Sequence, residues 1–376
     1  MPASHLVLGG GAPQYVRETK EPDYLQKVRN YDFSSLKISC NAEDIFWKMI
    51  TRPNIASKKW IFEQYDSQVR TNTVNIKGDA AIIRIKELPN KAIAVCTDCN
   101  SRYTYLNPYK GAMIAVAEAA RNVVCVGAEP VAITNCLNFG NPYDPEVYWT
   151  FKEAIRGMGD ACKALNTPVT GGNVSFHNES KNRAINPTPT IGMLGVIDDL
   201  TKITSAGFKN EDDAIYLIGN SREELGGSEF VNLILNSNVG DSPDIDIEEE
   251  KLLQKTILEL IRKKIIHSAH DCSEGGLAIC LAEKSIFSEK SLGAEIDLLK
   301  CTPAMLFGES QSRVVVTLSK KEIPELEKIC DRNNVPYKMI GMVINDIFRI
   351  KGCVETNVDL LKTKYENAIS EIMNLK

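Results

Sequence analysis

Residues 167–180, TPVTGGNVSFHNES, carry the reading on which the architecture turns. An apolar run, paired glycines and then small polar residues have the outline of a phosphate loop. In such a loop a lysine follows the glycines and an amphipathic helix opens behind them, so that ammonium and helix N-terminus share the anion. Here no lysine follows Gly171 and Gly172, and no amphipathic period begins after them. What remains is backbone: consecutive glycines let N–H groups converge on an anion and let it approach closely. Asn173 adds a carboxamide oxygen, a hard neutral ligand suited to Mg²⁺ beside phosphate oxygens. Ser175 adds a hydroxyl that can donate and accept. The same residues would equally serve to turn one strand into another, and spacing leaves both readings open.

Working outward, DPEVYWTFKEAIRGMGDACKAL (144–165) predicts a helix capped by Asp144. Its apolar stripe is Tyr148, Phe151, Ile155, Met158, Cys162 and Leu165. PVAITNCLNF (130–139) and PTPTIGMLGVIDD (187–199) read as strands, and DAAIIRIK and KAIAVCTD as a hairpin-like pair around ELPN. An Ala-rich helix starts at Asn107–Pro108, and Asn41 caps a short helix closed before Pro53. Near residue 200 the layout restarts with strands at DDAIYLIGN, SRVVVTLS and YKMIGMVIN, and with helices at EEEKLLQKTILELIRKKII and SEGGLAICLAEKSIF. A terminal amphipathic helix follows at NVDLLKTKYENAISEIM. The expected divisions are an arm at 1–40, a first α+β unit at 41–200, a second at 201–352 and the end helix at 353–376.

Hydrophobic residues make up 43% and charged residues 25% of the 376, enough for a real core in each unit. A net charge of -5 leaves no basic excess to neutralise nucleic-acid phosphates, which points to small molecules or proteins as partners. No segment approaches the ~20 apolar residues of a membrane span, and the N-terminus lacks a signal-peptide pattern. The eleven cysteines read as reduced residues of a cytoplasmic protein. Cys96 and Cys99 have redox or zinc spacing, but no second pair accompanies them and their surroundings read as a strand.

Two other segments are polar in places where chemistry could sit. In SAHDCSEGGLA, Ser273 could cap a helix beginning at Gly275–Gly276, with His267, His270 and Asp271 nearby; helix–sheet packing is favoured there over a metal. In LFGESQSRVVV, Gln311 could bond an amide or sugar hydroxyl, or Glu309 and Arg313 could form a surface ion pair. No G-x-S-x-G elbow, H-E-x-x-H or paired-carboxylate motif occurs, so no catalytic residue is assigned.

These stretches, with TDCNSRYTYLNPYKGAMIAVAEAARNVVCVGAEPVAITNCLNFGNP, PTPTIGMLG, LGGSEF and the LVLGGGAPQYVRETKEP arm, occur in the order found in the phosphoribosylformylglycinamidine (FGAM) synthase large catalytic subunit, in its small, ammonia-using form. The chain resembles that family over nearly its whole length, and specifically its C-terminal half. The resemblance implies an α+β fold like one half of an aminoimidazole ribonucleotide synthetase assembly: an N-terminal sheet domain that pairs into a barrel, plus a C-terminal α+β domain. It implies amidation of FGAR in purine synthesis, using ATP, Mg²⁺ and ammonia, with an amide oxygen activated by phosphorylation. By the same match Asn135 and Gly172 contact ATP, Asn173 ligates magnesium and Ser175 contacts FGAR. The family usually has Asp where Asn135 stands, so a charge is missing there. The catalytic E-S-H-N-H-P motif of the first half is absent, and CTDCNSRY stands in its place. The His-Asp and Glu-Ser-Gln segments are therefore expected to be structural or vestigial.

Met1 directly before the linker-like arm leads us to expect a truncated or separately encoded half, inactive without its N-terminal half. Ammonia would come from a separate glutaminase subunit, joined through a small bridging subunit. The competing expectations are a self-contained synthetase that homodimerises and a non-catalytic nucleotide-binding scaffold.

Overall fold

The computed structural model describes residues 16–374 apart from Lys37, Ser39, Asn75, Ile76 and Asn182. The first fifteen residues of the expected arm, with His5, lie outside the described residues. Among the described residues the strands form two sheets. The first contains β1 (Thr73–Val74), β2 (Ala81–Arg84), β3 (Ala92–Asp98), β4 (Glu129–Asn138), β5 (Val169–Ser175) and β6 (Thr188–Ile197), in the order β1-β2-β3-β6-β4-β5. Only β5 pairs parallel to its neighbour, β4. That arrangement follows from the crossover helix between them, because parallel neighbours cannot be joined by a tight turn.

Two helices, Pro108–Cys125 and Pro145–Leu165, lie on one face of this sheet over Ile82, Ala92, Ala94, Ile133, Leu137, Ile191 and Met193. Their starts follow the sequence signals. Asn107 Oδ1 accepts from Lys110 N (3.2 Å) ahead of Pro108, and Asp144 Oδ1 accepts from Glu146 N (2.8 Å) ahead of Pro145. The helices approach closely because Gly157 sits against the Tyr109 carbonyl, where any Cβ would overlap it. Among the described residues the opposite face carries no helix. The sheet formed by the described residues is open, with β1 and β5 as its edges, and does not close into a barrel.

The second sheet contains β7 (Ala214–Ile218), β8 (Ser268–Asp271), β9 (Leu292–Ile296), β10 (Val314–Leu318), β11 (Tyr337–Asn345), β12 (Ile347–Ile350) and β13 (Val354–Asn357), ordered β13-β12-β9-β11-β7-β10-β8. Every residue of β7 and β10 is buried, as expected of strands covered on both faces. Helices Ile247–Arg262 and Ile323–Asn333 cover one face, and helix Gly276–Ile286 covers the other.

The helix Ala42–Ile50 departs from the expected boundary at 41. Its Ile45, Phe46, Met49 and Ile50 belong to the core of the second sheet, with Phe46 stacked 5.9 Å from Phe348. Leu361 and Tyr365 of the terminal helix Val358–Asn374 enter that same core. An apolar stripe announces that a helix needs a partner, and nothing local in the sequence says which sheet supplies it.

Candidate functional site

The Gly-Gly-Asn segment is strand rather than loop. Gly171–Ser175 form the end of edge strand β5, in register Asn135↔Gly172, Cys136↔Asn173 and Asn138↔Ser175, after one irregularity beside Ile133. Gly171, Gly172 and Asn173 are exposed and Ser175 is half-buried. Alternation along the strands therefore splits the four candidates between two faces. Asn135 and Gly172 share the helix-covered face. The Asn135 carboxamide lies directly over Gly172, where a Cβ would overlap Oδ1, and its Nδ2 faces Met158 Sδ at 3.5 Å. Asn173 and Ser175 share the uncovered face, with Asn173 Nδ2 4.0 Å from Cys136 Sγ. A ligand touching all four would have to grip the edge from both sides.

The uncovered face has two zones. Ile93, Val95, Leu194 and Val196 are half-buried and apolar, while Thr134, Cys136, Asn138 and Asn173 make the β4–β5 end polar. No group of three or more His, Cys, Asp or Glu able to hold a metal exists among the described residues. Asn173 offers one neutral carboxamide oxygen, a hard ligand type of the kind Mg²⁺ accepts.

The two other polar segments are occupied by partners within the chain. Glu309 Oε1 accepts from the backbone N–H of Glu229 (2.9 Å) and of Gly275 (2.7 Å), and the Tyr103 hydroxyl donates to Oε2. Burial pushes this carboxyl up to about 7 against the opposing Arg102 charge. Arg313 is fully buried and makes no surface pair with Glu309. Its guanidinium donates to Ser310 O (2.8 Å), Gly308 O (2.8 Å) and Ser221 Oγ (3.0 Å). Gln311 Oε1 accepts from Arg121 Nη2 at 2.9 Å.

Ser273 does not cap the following helix. Gly275 does, at φ +83°, with Ile279 and Ile55 packed where its Cβ would lie. His267 Nδ1 lies 2.7 Å from Asp213, and His270 Nδ1 2.6 Å from Asp79 with Nε2 3.2 Å from Glu283. Burial alone would push the His270 imidazole down, but Asp79 and Glu283 push it up to about 10. Cys96 and Cys99 are free, and burial pushes the Cys99 thiol up to about 12.

Sequence reasoning missed Arg121. It is fully buried, 3.0 Å from Asp271 and 3.2 Å from Glu250, and it ties helix Pro108–Cys125 to the second unit. The available signal was an arginine inside an otherwise Ala-rich apolar helix face.

With its open sheet, three-layer α+β unit and exposed Gly-Asn edge strand, the chain matches family models as an AIR synthase-type chain. Residues 77–197 match the family model for the N-terminal domain of AIR synthase related proteins, and residues 210–351 the model for the C-terminal domain. The phosphoribosylformylglycinamidine synthase subunit PurL of Chlorobaculum tepidum is 46% identical over 100% of this chain and 51% of its own length. That of Salinibacter ruber is 46% identical over 97% of this chain and 50% of its own. Among solved structures, Thermotoga maritima PurL complexed with FGAR aligns over 85% of this chain and 53% of that one, with TM-score 0.67 and 19% identity. The chain belongs to the phosphoribosylformylglycinamidine synthase PurL family. It spans about half the length of the curated relatives it matches.

Proposed function

We propose that the chain acts as the C-terminal half of an FGAM synthase and lends one wall to an active site completed by an N-terminal half. In this reading Asn135 and Gly172 contact ATP, Asn173 gives one oxygen to Mg²⁺ and Ser175 contacts FGAR. The reaction transfers the γ-phosphoryl group of ATP to an amide oxygen of FGAR; ammonia then adds at that carbon and phosphate leaves, giving FGAM, ADP and phosphate. Such chemistry asks mainly for positioning and charge neutralisation, which backbone amides and neutral side chains can share with cations from another segment. Ammonia is supplied by a separate glutaminase subunit through a small bridging subunit. One observation carries the reading: an exposed glycine-asparagine edge borders an uncovered sheet face, in a chain half as long as its relatives. Relatives and neighbours named as this synthase, with structures titled as ATP and FGAR complexes, support it.

In the competing reading of a self-contained homodimer, the self-contained part has a different observation behind it. The HypE–HypF complex structure aligns over 96% of its own chain, with TM-score 0.56 at 16% identity, so the two-domain fold can be nearly a whole chain. Mixing separates these readings. The chain alone should form no FGAR- and ammonia-dependent ADP, and adding the N-terminal half should start turnover. Full turnover by the chain alone sinks the half-site reading. Mg-ATP binding by calorimetry without turnover in any mixture favours a scaffold.

A further inference from the structure

The geometry points to Asn178 as the residue that positions Ser175, an inference that rests on the proposed contact between Ser175 and FGAR. Beyond β5 the chain reverses around Phe139 and Gly140. His177 takes a left-handed φ of 60°, its N–H donates to Gly140 O (3.0 Å), and Asn178 N donates to Phe139 O (3.1 Å). That turn brings the Asn178 carboxamide back over the end of β5. Its Nδ2 lies 2.8 Å from Ser175 O, 3.1 Å from Ser175 Oγ and 3.1 Å from Phe139 O, and Oδ1 lies 3.3 Å from Ser175 Oγ. One side chain thus ties the strand tip to β4 and engages the serine hydroxyl through both of its amide atoms.

The chemistry of that contact is directional. A serine hydroxyl has one donor and two acceptor positions. Asn178 Nδ2 donates to one lone pair of the Ser175 oxygen and Asn178 Oδ1 accepts its O–H, so the carboxamide holds the hydroxyl from both sides and leaves a second lone pair open to a ligand. An aspartate at 178 would keep that acceptor but lose the Nδ2 donor to Ser175 O, Ser175 Oγ and Phe139 O, besides placing a negative charge beside an anionic substrate.

The turn has independent support, so removing the carboxamide need not unfold it. Phe176 packs edge-on against Phe151 at 5.1 Å, and Phe139 packs on the same ring at 5.2 Å. Asn178 therefore acts through Ser175, as a positioning residue rather than a catalytic one.

The test uses the chain combined with its N-terminal half, comparing Ser175→Ala, Asn178→Ala, Asn178→Asp and the double alanine variant. Asn178→Ala should raise KM for FGAR by roughly 5- to 10-fold with KM for ATP nearly unchanged. Asn178→Asp should raise it further. The double variant should match Ser175→Ala within about 2-fold, because a residue acting through another adds nothing once that other is gone. An effective Ser175→Ala with a silent Asn178→Ala, or full additivity, overturns the positioning role alone. A silent Ser175→Ala overturns the substrate reading of Ser175 and the inference with it. Equal losses for ATP and FGAR overturn the inference in favour of a purely structural turn.

Discussion

The β5 edge and the interior around Glu309 look alike in one dimension: both are short polar runs containing glycine or small residues beside an apolar strand. In three dimensions they differ in what their polar atoms face. Glu309 is satisfied by two backbone amides and a tyrosine, and Arg121 is ion-paired with Asp271 and Glu250 and hydrogen-bonded to Gln311, all buried. Asn173, by contrast, has a weak contact to a thiol 4.0 Å away and otherwise faces outward. Polar groups that complete one another within the chain hold its two units together. Polar groups held open on a rigid strand are available to something outside it.

If that contrast is right, the largest effect of any substitution considered should fall in the interior. Arg121→Ala leaves Asp271 and Glu250 buried without their cation. Breaking a buried pair from one side is destabilising by about 3–5 kcal/mol, and denaturant unfolding would measure it. A loss below about 1 kcal/mol would mean that the interior network behaves like a surface one, and the distinction between the two regions would collapse.

This contrast also explains what the sequence revealed. The helices at Pro108–Cys125 and Pro145–Leu165 were legible because Asn107, Asp144 and the two prolines are local signals with local consequences. The strand at 169–175 was half legible: the apolar run before the glycines suits a strand, but Gly-Gly-Asn is permissive enough to be loop or edge. Its placement beside β4 was a tertiary outcome. That Asn135 would lie over Gly172, 37 positions away, depends on register and cannot be read from either stretch. The buried roles of Glu309 and Arg313 were illegible for a related reason: charge predicts exposure unless a partner is known, and besides the nearby Gly308 and Ser310 carbonyls their partners come from residues 103, 221, 229 and 275.

A second, smaller effect lies at the junction of the two units. His270 is held charged by Asp79, which precedes β2 in the first unit, and by Glu283, from the helix Gly276–Ile286. Its pKa is raised from 6.5 to about 10 in the folded chain. The folded state therefore binds this proton more tightly than the unfolded one does. The stability it contributes is complete below about pH 6.5 and is lost as pH rises through about 10. Unfolding free energy should fall across that window, and His270→Gln should flatten the fall. An unchanged slope in the variant would remove His270 from the set of interior groups that join the two units.

The smallest structural effect belongs to the edge, and there the comparison is sharpest. Gly172→Ala adds one methyl group where Asn135 Oδ1 now sits. The atom in the way is the far end of a side chain on a half-open strand, so Asn135 can rotate aside and the fold should lose less than about 1 kcal/mol. The same rotation withdraws the carboxamide proposed to meet ATP, and the methyl group blocks close approach to the strand backbone. Mg-ATP affinity of the chain combined with its N-terminal half should drop about tenfold. Function and stability thus separate at Gly172, whereas at Arg121 they fall together. Calorimetric titration beside a thermal melt of the same preparation reads both quantities. Undiminished affinity would show that nothing outside the chain uses this edge, while a large loss of stability would make Gly172 a packing glycine like Gly157.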